Sequence, residues 1–153
     1  MRRKDRELNR EEALRLLGII KEGTLCLAAG EDGYPYAVPM NCALVDGALI
    51  FHGATKGEKR DIIERDNRAR LVSVIGSSLV ADKLTTHYEC VIAKGRIEEI
   101  SDRNEAIRLL CAMTGKLFGA DPQSFAEKAE KGISVTNVWR MNIDEVTAKR
   151  NPR

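Results

Sequence analysis

The stretch that decides the fold is Asp32-Gly33-Tyr34-Pro35-Tyr36-Ala37-Val38-Pro39-Met40-Asn41-Cys42-Ala43-Leu44-Val45-Asp46-Gly47-Ala48-Leu49-Ile50-Phe51-His52-Gly53. Gly30 to Gly33 reads as a turn and Tyr34 to Val45 as a strand. Pro35 and Pro39 place that strand at a sheet edge or a bulge, because proline donates nothing to a ladder. Asp46-Gly47 is a strong hairpin signal, and Ala48 to Gly53 is the strand that returns. Strands joined by turns this tight pair antiparallel.

Working outward, Asn9 with Glu12 three residues on reads as a helix cap. Ala13, Leu16, Leu17 and Ile20 then recur at helical spacing, so 10–21 is expected as an amphipathic helix. Thr24 to Ala29 is a short apolar strand. Gly57 to Asp66 has helical spacing and Ala69 to Ile75 is strand-like. Gly76 to Thr85 is expected as a loop and Thr86 to Ile100 as a long strand with a bulge at Gly95. Asp102 and Glu105 cap a second large helix through about Leu117, a shorter helix follows Pro122, and Ile133 to Ile143 is the closing strand. No β-α-β-α alternation is present, which argues against a doubly wound parallel sheet. The expected fold is mainly β with flanking helices: a six-stranded antiparallel barrel in one domain, 1–153, with 1–8 and 148–153 as loose ends.

Composition bounds the rest. The 153 residues hold 25 Lys and Arg against 23 Asp and Glu, a net charge of +2. Residues 1–22 carry seven of the basic residues, and Lys149, Arg150 and Arg153 lie at the other end, so the stretch between is mildly acidic. A broad nucleic-acid surface is therefore not expected. The longest uncharged run, Gly33 to Val45, is thirteen residues and contains two prolines, too short and broken for a membrane helix. Cys26, Cys42, Cys90 and Cys111 are widely spaced without a C-x-x-C pair, which fits small core thiols in a reduced cytoplasmic setting. Dinucleotide, Walker, serine-elbow and H-E-x-x-H patterns are absent, and two histidines, His52 and His87, exclude a histidine-rich metal cluster.

Two segments can carry chemistry. In Phe51-His52-Gly53-Ala54-Thr55-Lys56-Gly57-Glu58-Lys59-Arg60, a strand ends, small residues follow, and a helix starts among three cations. Cations oppose the macrodipole at a helix N-terminus. An anion between them would relieve this, with free N–H groups completing a phosphate cradle. A solvated basic helix start, with Glu58, Asp61 and Glu64 as partners, explains the same residues equally well. The second segment, Tyr34 to Asn41, offers backbone groups along an edge strand to a planar heterocycle; it also reads as a hairpin strand whose tyrosines cover the core rim.

Together these segments resemble the flavin-binding split-barrel superfamily of pyridoxamine 5′-phosphate oxidase-like proteins, nearest its nitroimidazole-resistance branch. Asp32 to Asn41, Asp46-Gly47, Phe51 to Ala54 with Gly57-Glu58-Lys59, Asp66-Asn67, Thr86 to Ile92 with Gly95, and Glu145-Val146-Thr147 with Lys149 carry the resemblance in order. It implies a homodimer of split barrels with FMN at the subunit interface. Lys59 would bind the phosphate; His52, Gly53, Ala54 and Gly57 would lie along the ribityl-phosphate; Val38, Pro39, Met40 and Asn41 would line the ring. Tyr88 and Trp139 would close the site from the other subunit, and His52 would stand near the flavin with a catalytic role. The implied function is an FMN-dependent oxidoreductase that passes electrons from NAD(P)H or another donor to a small planar acceptor such as a nitroaromatic. A flavin or haem carrier without turnover is the alternative. The ending Val138-Trp139-Arg140-Met141-Asn142-Ile143-Asp144 lacks the aromatic pair and spaced arginines with which the oxidases proper hold their vitamin substrate, so vitamin B6 oxidation is not expected.

Overall fold

The computed structural model describes residues 2–151. A 3-10 turn at Lys4–Arg6 leads into helix α1 (Arg10–Ile19), whose N-terminus is held by Asn9 Oδ1 accepting the Glu12 N–H at 2.9 Å. Then come strands β1 (Glu22–Ala29), β2 (Pro35–Asn41), β3 (Ala43–Val45) and β4 (Ala48–Ala54). Helix α2 (Glu58–Arg65), strands β5 (Arg68–Val80) and β6 (Thr85–Glu99), helices α3 (Arg103–Phe118) and α4 (Ala126–Gly132), and strand β7 (Thr136–Asn151) complete the order.

All seven strands form one antiparallel sheet, in the order β2-β1-β5-β6-β7-β4-β3. Its two edges, β2 and β3, are consecutive in the chain and separated by Cys42 alone. A sheet whose first and last strands are covalent neighbours must curl until its edges meet, which gives the split barrel. β2 is an edge, as its prolines require. At the β3–β4 turn Asp46 and Gly47 both take positive φ, 50° and 81°, the backbone of a tight hairpin.

Three expectations need correction. The strand anticipated over 34–45 breaks at Cys42, so the sheet has seven strands rather than six. The anticipated loop after Ile75 is instead a hairpin: β5 and β6 stay paired out to Val80 and Thr85. Exposed serines and half-buried threonines leave no alternation to read there. The segment 148–151, expected loose, is strand: Ala148 is buried opposite Val91, and Leu8 N–H donates to the Ala148 carbonyl at 3.0 Å. Leu8 packs on the core, so the start is also tied down; 152–153 and residue 1 lie outside the described residues.

The main core fills the barrel with Leu16, Leu17, Leu25, Phe51, Leu71 and Trp139. A second cluster, with Ile50, Val138, Leu109 and Met113, fastens α3 to the outer face of β4 and β7. The two faces of β4 therefore meet different environments. All four cysteines are free thiols, and burial pushes the Cys42 thiol up to about 12, which keeps it protonated.

Candidate functional site

The end of β4 organises the site. Phe51 and Gly53 share one face, and Ile50 and His52 the other, as strand alternation requires. On the first face Phe51 stacks on Trp139, ring centroids 5.7 Å apart. Gly53 pairs with Asn137 across the ladder. Lys59, from the first turn of α2, reaches back over this surface. Its ammonium stands 5.1 Å from the Trp139 ring centroid and 3.2 Å from Met40 Sδ. A Cβ on Gly53 would lie 2.8 Å from Lys59 Nζ and 2.9 Å from the indole edge, so a side chain there would expel the lysine.

Lys59 is half-buried and, among the described residues, makes no salt bridge. Burial pushes its pKa below the ordinary lysine value. A thioether and a π-face are weak substitutes for the water it has lost. Beside it, Asn137 Nδ2 and Trp139 Nε1 are buried donors with no acceptor among the described residues. Directly opposed residues of an antiparallel pair point to the same face, so Asn137 shares the face of Gly53 and Lys59. Gly57, at φ 121°, makes the turn before α2, and the Glu58 and Lys59 N–H groups lie in the turn that precedes intrahelical bonding. The residues thus fit a phosphate group: one ammonium unneutralised among the described residues, lodged in the space that Gly53 leaves open, beside the first N–H groups of a helix start. Asn137 carries no motif; only the Gly53–Asn137 pairing, remote in sequence, reveals it.

The cradle is narrower than the three cations of the sequence suggest. Arg60 is engaged by Glu64 and by Glu99, each at 3.4 Å, whereas Lys56 is exposed without an ion pair among the described residues.

The other anticipated residues divide by face. On β2, Val38 and Met40 are half-buried against the barrel core, while Pro39 and Asn41 are exposed. The four therefore do not form one flat lining. Pro39, Met40 and Asn41 instead border a shallow depression of about 400 Å³ together with Thr24, Ser73 and Val74. His52 lies one residue from the cradle but on the opposite side of β4, where it borders a groove of about 450 Å³ with Leu110, Thr114 and Phe118 of α3. Burial first, and then the Lys59 charge, push the His52 pKa below the ordinary value, which favours a neutral imidazole at pH 7. Ala54 is exposed beyond it.

Trp139 does not match its anticipated role. It is fully buried beneath Lys59 of its own chain, so it has no surface with which to close a site on another subunit. Tyr88 lies eleven residues along β6 from Glu99, the partner of Trp139. It therefore sits far from the Lys59 cluster of its own chain, in a cleft of about 350 Å³ with His87, Arg150 and Asn151.

Solved structures share this architecture. A candidate 5-nitroimidazole antibiotic resistance protein from Bacteroides thetaiotaomicron matches with a TM-score of 0.76 at 21% identity, over 94% of this chain and 85% of that one. The flavocytochrome Anf3 from Azotobacter vinelandii gives 0.78 at 20% identity, over 95% and 68%. A FAD and haem binding protein from Mycobacterium smegmatis gives 0.77 at 22% identity, over 94% and 71%. At these identities the likeness is one of fold. No curated protein matches the chain. A family model described as Pyridoxamine 5'-phosphate oxidase matches residues 9–150, which takes in the curled sheet, the Gly53–Lys59 cradle and nearly all of β7, and the chain belongs to that family.

Proposed function

We propose that this chain is a flavoprotein that binds FMN as a homodimer and transfers electrons to a small planar acceptor. The observation that carries the reading is Lys59: a half-buried cation, without a carboxylate partner among the described residues, at the glycine-rich junction of β4 and α2 in a chain of this family. Lys59 would hold the phosphate, Gly53 gives the lysine room to stand there, and the α2 N–H groups would complete the coordination. The bound flavin supplies the two-electron chemistry; the protein positions it and limits access of water. His52, uncharged at neutral pH, holds an imidazole within one residue of the cradle, where it can donate or accept one hydrogen bond. Electrons would enter from NAD(P)H or another reductant.

The visible spectrum of freshly purified protein, followed by titration with FMN, FAD and riboflavin, tests this. FMN is expected to bind at micromolar levels and more tightly than riboflavin. Lys59→Ala should weaken FMN by about 1.5–3 kcal/mol, the worth of one charge-assisted contact. Colourless protein that no flavin saturates would end the reading. The second reading, a flavin or haem carrier, is favoured by His52, whose imidazole makes no side-chain hydrogen bond among the described residues and stands beside an apolar groove. A Soret band on haem titration, lost in His52→Ala, would support it.

A further inference from the structure

On the far side of β4 from Lys59, the chain encloses a chemically different space. The groove beside His52 is walled by Leu110, Thr114 and Phe118 of α3 and by Phe125 and Lys128 from the segment after it. Its volume of about 450 Å³ lies in the range of small-molecule sites. Phe118 is 74% exposed, an unusual state for a phenyl group that has a core close at hand. Phe125 holds a second ring 5.9 Å away at 35°, so the two make a continuous aromatic wall.

The polar complement of the groove is one-sided. Thr114 Oγ1 donates to the Leu110 carbonyl at 2.7 Å, and Thr136 Oγ1 donates to the Gly132 carbonyl at 2.9 Å, so both hydroxyl hydrogens are occupied. Glu127 pairs with Lys131, which leaves Lys128 without an ion pair among the described residues. Among the described residues no carboxylate lines the groove. What it offers a visitor is two rings, an apolar floor, one free ammonium and one imidazole.

We propose that this groove binds a small planar aromatic acid, with its ring against Phe118 and Phe125 and its carboxylate toward Lys128. The two ring faces favour an aromatic ring and the lone cation selects an anion. His52 and Gly53 are adjacent residues, so the groove and the Lys59 cradle flank the same strand end. Binding of the acid there does not rest on the flavin reading.

Calorimetry on the purified protein, with and without added FMN, separates the two. The probes are 4-nitrobenzoate, nitrobenzene (no carboxylate) and cyclohexanecarboxylate (no flat ring). 4-Nitrobenzoate should bind about tenfold more tightly than either comparator. Phe118→Ala and Lys128→Gln should each weaken it about tenfold while leaving FMN affinity and the thermal midpoint unchanged, since both side chains are exposed. Equal affinity for the three probes, or unaltered affinity in both variants, overturns the proposal. Conversion of a dimer to a monomer by Phe118→Ala also overturns it, because a second copy would then cover the groove. Retained 4-nitrobenzoate binding without any flavin binding would sink the flavin reading alone.

Discussion

Lys59 trades solvation for position. Burial lowers its pKa below the ordinary 10.5, so the free protein loses this proton earlier than an exposed lysine would. A phosphate needs the ammonium form, so binding above that pKa must take up a proton. FMN affinity should therefore begin to fall with rising pH before 10.5 is reached, and Lys59→Met should show no such fall. Affinity titrations across the alkaline range check this; a wild-type profile that stays flat to pH 10.5 removes Lys59 from the site. Asn137 makes the complementary case. Asn137→Asp would place a carboxylate on the lysine's own face and give it the partner it lacks. The variant should hold or raise its thermal midpoint while FMN binding drops at least about tenfold, the trade between stability and function expected when a functional group is left unsatisfied. Riboflavin, without a phosphate, should be affected less. The sequence marks the lysine and the glycines, but not the half-buried asparagine that the ladder sets opposite Gly53.

At the scale of elements, β6 and β7 meet at a site where one residue type is permitted. The register slips between Lys94 and Gly95, and a Cβ on Gly95 would lie 1.9 Å from the Asn142 carbonyl oxygen. That atom is backbone and cannot swing aside. Gly95→Ala should cost about 1–3 kcal/mol or more by denaturant titration, as overpacking does, and an unchanged midpoint would mean the bulge yields freely. A lone glycine in a strand pattern marked the irregularity at Gly95, although the extra residue is Asp144 of β7 rather than one in β6; the Asn9 and Asp102 caps and the Asp46-Gly47 hairpin were equally readable. All are signals carried by a few adjacent residues. The outer half of the β5–β6 hairpin was not readable, because it has no core on either face to impose alternation. Nor was the extent of β7, which the sequence pattern ends at Ile143 and which pairs with β6 out to Asn151.

For the whole molecule, the β5–β6 hairpin leaves Val74, Leu79 and Leu84 at 62%, 87% and 94% exposure. Apolar side chains gathered along one projecting arm are a contact surface in search of a partner, and a two-fold copy would cover both arms at once. Light scattering at micromolar concentration should report a dimer, and Leu79→Asp with Leu84→Asp should shift it toward monomer. A wild-type monomer would sink the homodimer and any site shared between subunits. The order of strands has a last consequence. β4 is made early in synthesis but cannot enter the sheet until β7 arrives to join it to β6, since β7 lies between them. Gly53 thus waits for Asn137, across most of the chain. A nascent chain stalled before residue 136 lacks one wall of the Lys59 cradle and the indole that supports the lysine. Flavin capture should therefore be a late event on the ribosome, and slow long-range pairing, rather than cofactor supply, should set the pace at which the coloured protein appears.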